Sequence, residues 1–162
     1  MMSIENFLAI QIRRFNDTDL EKVVSIEAAT QVSPWSDAAF LRCWNAKYPG
    51  WVVEVDGEIV GFVFISLASG ECHVLNLCIH TARQRLGLGR QLLTSALMWA
   101  KEQGAGIVYL EVRRSNINAI ALYRNMNFKS IGERKSYYST PKGPEDAVVF
   151  ARDLGIEGEK EI

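Results

Sequence analysis

Gln84-Arg85-Leu86-Gly87-Leu88-Gly89 stands between an apolar run, Val74 to Ile79, and an amphipathic run that begins at Arg90. The flanking patterns are those of a strand and a helix, so the six residues read as the turn that joins them. Two glycines let such a turn close tightly and leave several amide N–H groups bare of side chains, and a helix start adds unpaired N–H donors at the positive end of its dipole. Arg83, Arg85 and Arg90 bring charge to the same place. The segment has the makings of a seat for a pyrophosphate, set against the plainer reading of a simple strand-to-helix turn.

Strand and helix patterns alternate outward from this point. Upstream, Leu8 to Phe15 reads as a strand, and Thr18-Asp19-Leu20-Glu21 offers a capping box for a helix with Leu20, Val23 and Val24 on one face. Pro34 and a capping Ser36 lead into a short helix to about Trp44. Trp51 to Val55, the Asp56-Gly57 turn and Glu58 to Leu67 form a hairpin, and after Ser69-Gly70 a further strand runs to Ile79, so this part of the sheet is antiparallel. Downstream, Leu88, Leu92, Leu93, Ala96, Leu97 and Ala100 form one helical stripe that ends near Gly104. Ile107 to Val112 is a buried strand, Ser115 or Asn116 caps a helix to about Asn127, and the strands Lys129 to Tyr138 and Ala147 to Leu154 close the chain.

The chain has 162 residues, enough for one domain that buries roughly two thirds of its unfolded surface without a metal or disulfide staple. We expect a single domain over residues 1–154 and a polar tail over residues 155–162. Net charge of −1 excludes the strong basic excess of a general nucleic-acid binder, and three unpatterned cysteines, Cys43, Cys72 and Cys78, suit a reducing cytoplasm better than a disulfide framework. The sequence shows neither a basic start leading into a long apolar stretch nor a run of about 18 apolar residues, so a cytoplasmic protein with no membrane or direct nucleic-acid partner is expected, as a monomer.

The order of elements, with the glycine turn between the fourth strand and the third helix, resembles that of the GCN5-related N-acetyltransferases (GNAT). Within them the chain is similar to the bacterial ribosomal-protein alanine N-acetyltransferases. The likeness runs from Pro34-Trp35-Ser36 through Asn76-Leu77, the glycine turn, Leu110-Glu111-Val112-Arg113, Ser115-Asn116, Ala119-Ile120-Ala121-Leu122-Tyr123, Asn127-Phe128 and Tyr137-Tyr138 to Glu145-Asp146-Ala147. It implies an α/β (α+β) GNAT fold: a mixed, mostly antiparallel sheet of six to seven strands with about four helices, splayed at a cleft for acetyl-coenzyme A. It further implies transfer of acetyl to the N-terminal alanine of a small-subunit ribosomal protein by direct attack in a ternary complex, with that protein's N-terminal peptide as partner.

The resemblance carries roles residue by residue. Arg85, Leu86, Gly87, Leu88, Gly89 and Arg90 would hold the pyrophosphate on their backbone. Leu77, Cys78 and Ile79 would pair with the pantetheine arm, which an exposed strand edge can satisfy with free N–H and C=O groups. A backbone N–H near Cys78 or Ile79 would stabilise the oxyanion. Glu111 would be the base; alternation places it with Ile107 and Tyr109 at the end of a buried strand, where desolvation raises a carboxyl pKa, while spacing alone also fits an exposed strand-end charge paired with an arginine. Tyr123 would protonate the departing sulfur, a role that the resemblance alone gives it, since its inward position with Ala119, Leu122 and Met126 describes a core tyrosine. Asn116 would hold the pantetheine arm or serve as an N-cap, two compatible roles. Trp35, Tyr137 and Tyr138 would wall the acceptor site or act structurally. An α-amine with a pKa near 8 is cheaper to neutralise at pH 7 than a lysine near 10.4, by about 3 kcal/mol, which favours an N-terminal acceptor for a modest base.

Two positions depart from the family pattern. His80-Thr81 stands where an Asp-Pro pair is usual, at the cofactor entrance or facing solvent, and Asn127 replaces a glycine whose left-handed conformation asparagine can also adopt. Other classes fit less well. No metal is expected, because Cys72 and Cys78 lie about 20 Å apart along a strand at 3.3 Å per residue. Cys78 as an acyl carrier would need a neighbouring base, and a dinucleotide fingerprint would put its third glycine at Leu92. Another N-terminus, a lysine or a small amine as acceptor, and a non-enzymatic acetyl-coenzyme A sensor, are the remaining alternatives.

Overall fold

The computed structural model describes residues 8–155. In chain order the elements are β1 (Ile10–Arg14), α1 (Leu20–Thr30), α2 (Asp37–Asn45), β2 (Gly50–Val55), β3 (Glu58–Ala68), β4 (Glu71–Ile79), α3 (Leu88–Glu102), β5 (Ile107–Arg113), α4 (Ile117–Asn125), β6 (Lys129–Thr140) and β7 (Gly143–Asp153). The seven strands form one open sheet in the order β1-β2-β3-β4-β5-β7-β6. Every neighbouring pair is antiparallel except β4 and β5, which run parallel. This is the mixed, mostly antiparallel sheet with four α-helices that the sequence predicts.

Helices cover both faces. Val52, Phe62, Phe64 and Cys78 pack against Val23 and Ile26 of α1 and Phe40 and Cys43 of α2. Trp51, Val53, Val63 and Ile65 point the other way, onto the α3 stripe and Tyr123 of α4. The alternation of Trp51, Val52 and Val53 between the two clusters explains why β2 and β3 read as continuous apolar runs: both faces are buried. All six residues of the predicted α3 stripe are buried, and truncating one of its leucines to alanine would cost about 2–5 kcal/mol.

Several boundaries differ from the sequence reading. The capping box is formed by Asn16 and Asp19 at a 3-10 turn, Asp17–Asp19, not by Thr18 and Glu21. Asp19 is drawn there by Arg13, whose guanidinium donates to both carboxylate oxygens at 2.8 and 2.9 Å, while the Asn16 N–H donates to Oδ2 at 2.9 Å. α3 starts at Leu88 rather than Arg90, because Gly87 takes the N-cap position with φ of 75°. Asn116, not Ser115, caps α4, its side chain accepting from the Ala119 N–H at 3.2 Å. Asn127 has φ of 67°, the left-handed conformation expected of a glycine substitute after a helix. Of the polar tail, only Gly155 falls within the described residues. Among those residues no helix is long and apolar enough to cross a membrane.

Candidate active site

The site arises where two parallel strands part. β4 and β5 pair from Glu71 with Ile107 to Val74 with Leu110, and no further. At that point β4 carries a bulge: Phe64 is opposite Asn76 and Ile65 opposite Val74, so Leu75 is an extra residue. A bulge bends its strand and ends local pairing. From there β4 continues to Ile79 beside β3 alone, and β5 continues to Arg113 beside β7 alone. The edges of residues 75–79 and 111–113 are left facing each other, the splayed backbone that the family resemblance implies.

The gap passes through the sheet, so both helical layers reach it. Tyr123 belongs to the cluster on the α3 and α4 face, as do Leu110 and Val112 on either side of Glu111. Glu111 therefore points to the α1 and α2 face, the side on which Glu27 of α1 lies. All three residues line one cleft, with Trp35, Asn76, Leu77, Arg113, Asn116 and Tyr138 among its other walls. A larger groove between α1 and α2, lined by Asp17, Glu21, Asp37 and Leu41, shares no residue with this cleft and no titratable group of the sequence-predicted site.

The glycine turn follows the end of β4, beyond the residues that line the cleft. Arg85 and Gly87 both have positive φ, 65° and 75°, and the first intrahelical bond of α3 is from the Gln91 N–H to the Gly87 carbonyl at 3.1 Å. The N–H groups of Leu88, Gly89 and Arg90 therefore precede the helical ladder and point outward from its positive end. The Gln84 amide donates to the Ile79 carbonyl at 2.9 Å, tying the turn to β4. His80, undecided from the sequence, accepts from the Ala82 N–H at 3.1 Å and so caps a 3-10 turn, Thr81–Arg83, that precedes the glycine turn. A Cβ on Gly89 would stand 3.5 Å from Leu122 and 3.7 Å from Ile79, an ordinary contact that links the turn to β4 and to the helix of Tyr123. Gly87 has open space around it and is required by its backbone conformation alone. Leu88 is buried, whereas Arg85, Leu86 and Arg90 are exposed.

Glu111 departs from its expected electrostatics. It occupies the less buried face of β5, with its side chain only 11% exposed. Its Oε2 lies 2.5 Å from His73 Nε2 and its Oε1 accepts from Arg134 at 3.3 Å. Burial pushes the carboxyl up, as anticipated, but the His73 and Arg134 contacts together outweigh it and hold the carboxyl below the usual range. Both readings of this residue thus contain part of the arrangement: it lines the cleft, and it is paired with an arginine.

Tyr123 is buried, with its ring 5.7 Å from Phe128 and 6.2 Å from Phe150. Burial drives its phenol well above the ordinary tyrosine range, so the hydroxyl keeps its proton at neutral pH. Leu77 lines the cleft and Ile79 packs against the α3 core. The Cys78 side chain turns to the opposite, α1 face. Burial pushes its thiol up to about 12, which suits an inert core cysteine better than a nucleophile.

The proposed aromatic wall divides. Trp35 and Tyr138 line the cleft. Tyr137 stands outside it, 44% exposed, with the Arg134 guanidinium 4.5 Å over its ring and Tyr138 edge-on at 4.9 Å. Neighbouring strand residues face opposite ways, and Tyr137 also lies in a bulge: Arg134 pairs with Ala147 and Tyr138 with Glu145, so three residues of β6 oppose Asp146 alone. Asp146 fixes the bulge by accepting from the Ser136 N–H at 2.9 Å and from Lys135 at 3.3 Å. Glu145 accepts from the Ser115 N–H at 2.8 Å and pairs with Arg113 at 3.5 Å. The Glu145-Asp146 pair is therefore a brace for the cleft rim.

Sequence reasoning missed Glu27, His73 and Arg134. Glu27 had a signal: it falls at i+7 from Leu20 on the stripe containing Val23 and Val24, an acidic residue where burial is expected. It is only 2% exposed. Its Oε2 accepts from the Trp35 N–H at 2.9 Å and from the Asn76 amide at 3.0 Å. Burial pushes its carboxyl above the ordinary range, against the Trp35 N–H, the Asn76 amide and the Cys78 thiol, which favour the charged form.

An open mixed sheet, strands splayed over a through-going cleft and a bare-amide helix start after β4 define the class, and the sequence agrees: residues 20–128 match the Acetyltransferase (GNAT) family, to which the chain belongs. The [ribosomal protein bS18]-alanine N-acetyltransferase of Escherichia coli K12 is 32% identical over 145 residues, covering 90% of this chain and 98% of that protein. The crystal structure of the ribosomal-protein-S18-alanine N-acetyltransferase from Escherichia coli superposes with a TM-score of 0.86 at 31% identity, over 93% of this chain and 97% of that one. Arabidopsis thaliana NAA60 in complex with acetyl-CoA shares the fold at a TM-score of 0.80 and 20% identity, over 90% and 99% of the two chains.

Proposed function

We propose that this chain transfers the acetyl group of acetyl-coenzyme A to the α-amine of an N-terminal alanine on a small-subunit ribosomal protein, by direct attack within a ternary complex. The observation that carries the reaction type is the cleft between β4 and β5, where a carboxylate and a phenol from opposite faces of the sheet line one space. The acceptor is supported by the relationship to the bS18-alanine N-acetyltransferases along nearly the whole chain.

On this reading the backbone of residues 85–90 holds the pyrophosphate, and the free edge of Leu77, Cys78 and Ile79 aligns the pantetheine arm with Asn116 opposite it. The thioester then lies in the gap, and the acceptor enters from the α1 face between Trp35 and Tyr138. The amine attacks in its neutral form. An α-ammonium near pKa 8 gives its proton to an ordinary carboxylate only uphill, by about 5 kcal/mol, and Glu111 sits lower still. Glu111 therefore takes the proton as the N–C bond forms and the nitrogen becomes more acidic, directly or through water. Tyr123, kept protonated by burial, donates to the departing sulfur as the C–S bond breaks.

The test is steady-state release of coenzyme A with a peptide carrying the ribosomal protein's N-terminal alanine. The reading expects saturable turnover that requires a free N-terminus. Tight acetyl-coenzyme A binding with no release would make the chain a sensor instead.

A further inference from the structure

We infer that Glu27 is the counter-charge that draws the acceptor's α-ammonium into the cleft; the inference rests on the α-amine reading above. Three observations carry it. First, Glu27 lines the same cleft as Glu111 and Tyr123. Second, its partners are neutral: Oε2 accepts from the Trp35 N–H and the Asn76 amide, while Oε1 is buried with no hydrogen-bond partner among the described residues. Third, the charges around it are already committed. Across the cleft, Arg113 is held by Glu145 at 3.5 Å and by Ser115 at 2.9 Å, and Glu111 by His73 and Arg134. The remaining groups facing Glu27 are the Cys78 thiol beside it on β4, with Thr30 and Gln31 near that thiol, and the phenols of Tyr123 and Tyr138 across the cleft.

A buried carboxylate without a cation is expensive, and a cation brought beside it offsets that cost. An acceptor with a free N-terminus brings a single positive charge on a small group and supplies that partner. The two bonds to Oε2 also tie α1 to the Trp35 loop and to β4, so the charge is held rigidly between the acceptor wall and the cofactor strand. A carboxylate in this low-dielectric setting acts on an ammonium more strongly than one in water. It favours an amine acceptor over a neutral one without taking part in bond making.

Glu27→Gln separates charge from architecture, because the amide oxygen still accepts from Trp35 and Asn76. The measurements are KM for the alanine peptide, kcat, acetyl-coenzyme A affinity by calorimetry and thermal midpoint. The expected result at pH 7 is a tenfold or greater rise in peptide KM, with acetyl-coenzyme A affinity within twofold and the fold intact. The difference from the unaltered protein should shrink as the pH is raised past the amine's pKa. A peptide KM unchanged in Glu27→Gln, or acetyl-coenzyme A affinity lost in parallel with it, overturns the inference while turnover by the unaltered chain upholds the function. If the unaltered chain does not turn the peptide over, both fall.

Discussion

Glu111 and Glu27 line one cleft from β5 and from α1, yet the first is wedged between His73 and Arg134 while the second accepts only from neutral groups. Both are largely removed from water, and burial alone would push both carboxyls up. The neighbours decide the outcome: Glu111 ends below the ordinary range and Glu27 above it. Carboxylates whose environments push them apart suit different tasks. Glu111 is ionised throughout the neutral range and ready to take a proton from a nitrogen made acidic by bond formation. Glu27 is the less stabilised charge and gains most from a cation placed beside it.

The comparison breaks most visibly at Glu111. Glu111→Gln should lower kcat by about 10²-fold at neutral pH with acetyl-coenzyme A affinity nearly unchanged, the scale of losing a positioned proton acceptor. Tyr123→Phe should lower kcat by a similar or smaller factor, again sparing affinity. Wild-type rates in rapid-quench or steady-state assays of either variant would remove that residue from the chemistry.

Less drastic is Gly87→Val. Gly87 stands at φ of 75° with no atom near enough to clash with a Cβ, so the penalty is conformational. Forcing an L-residue there costs about 1–2 kcal/mol, a loss of roughly tenfold in acetyl-coenzyme A affinity if the strain is relieved by moving the turn. Calorimetry showing unaltered affinity would mean that the turn does not hold the ligand.

The stability of the two glutamine variants sharpens the contrast through its sign. Glu111 has a lowered folded-state pKa, so its ionised form supports the fold; that support is present above the ordinary carboxylate value and is lost as pH falls through the lowered one. Glu27 has a raised folded-state pKa, so its ionisation opposes folding increasingly as pH rises from the ordinary value through the raised one. At pH 7, Glu111→Gln should lower the melting temperature and Glu27→Gln should hold or raise it. Shifts of the same sign would show that the two sites are electrostatically alike.

The smallest effect is expected from His73→Ala. Removing this partner lets burial lift the Glu111 carboxyl, and because Glu111 must be ionised to accept a proton, the acidic limb of kcat/KM should move to higher pH. A limb that stays in place would show that His73 does not tune the base.

What could be read from the chain divides along the same lines as the site. The six-residue stripe of α3, the two-faced runs of β2 and β3, the turn at Gly87 and the left-handed Asn127 are local: periodicity and backbone conformation determine them within a few residues. The position of Tyr123 on the inner face of α4 followed from the same periodicity. The electrostatics of the cleft did not follow. His73 and Glu111 are 38 residues apart, and Glu27 and Asn76 are 49 apart. His73 meets Glu111 because β4 pairs with β5 in the register that sets His73 against Tyr109, a non-local choice that no local pattern announces. Tyr137 lies outside the cleft, in the β6 bulge that Asp146 braces, and no local pattern announces that bulge either. An alternating pattern carries a strand's faces reliably only until a bulge adds a residue.

The central claim is acetyl transfer to an N-terminal α-amine in the gap between β4 and β5. It is tested most directly by incubating the protein with acetyl-coenzyme A and a peptide that has both an N-terminal alanine and an internal lysine, then locating the acetyl group by fragmentation mass spectrometry. The account predicts one acetyl group, on the alanine nitrogen, and about a hundredfold less of that product when Glu111→Gln replaces the unaltered protein under matched conditions and short reaction times. Acetylation of the lysine in preference to the alanine, or no product from a protein that binds acetyl-coenzyme A, would contradict it.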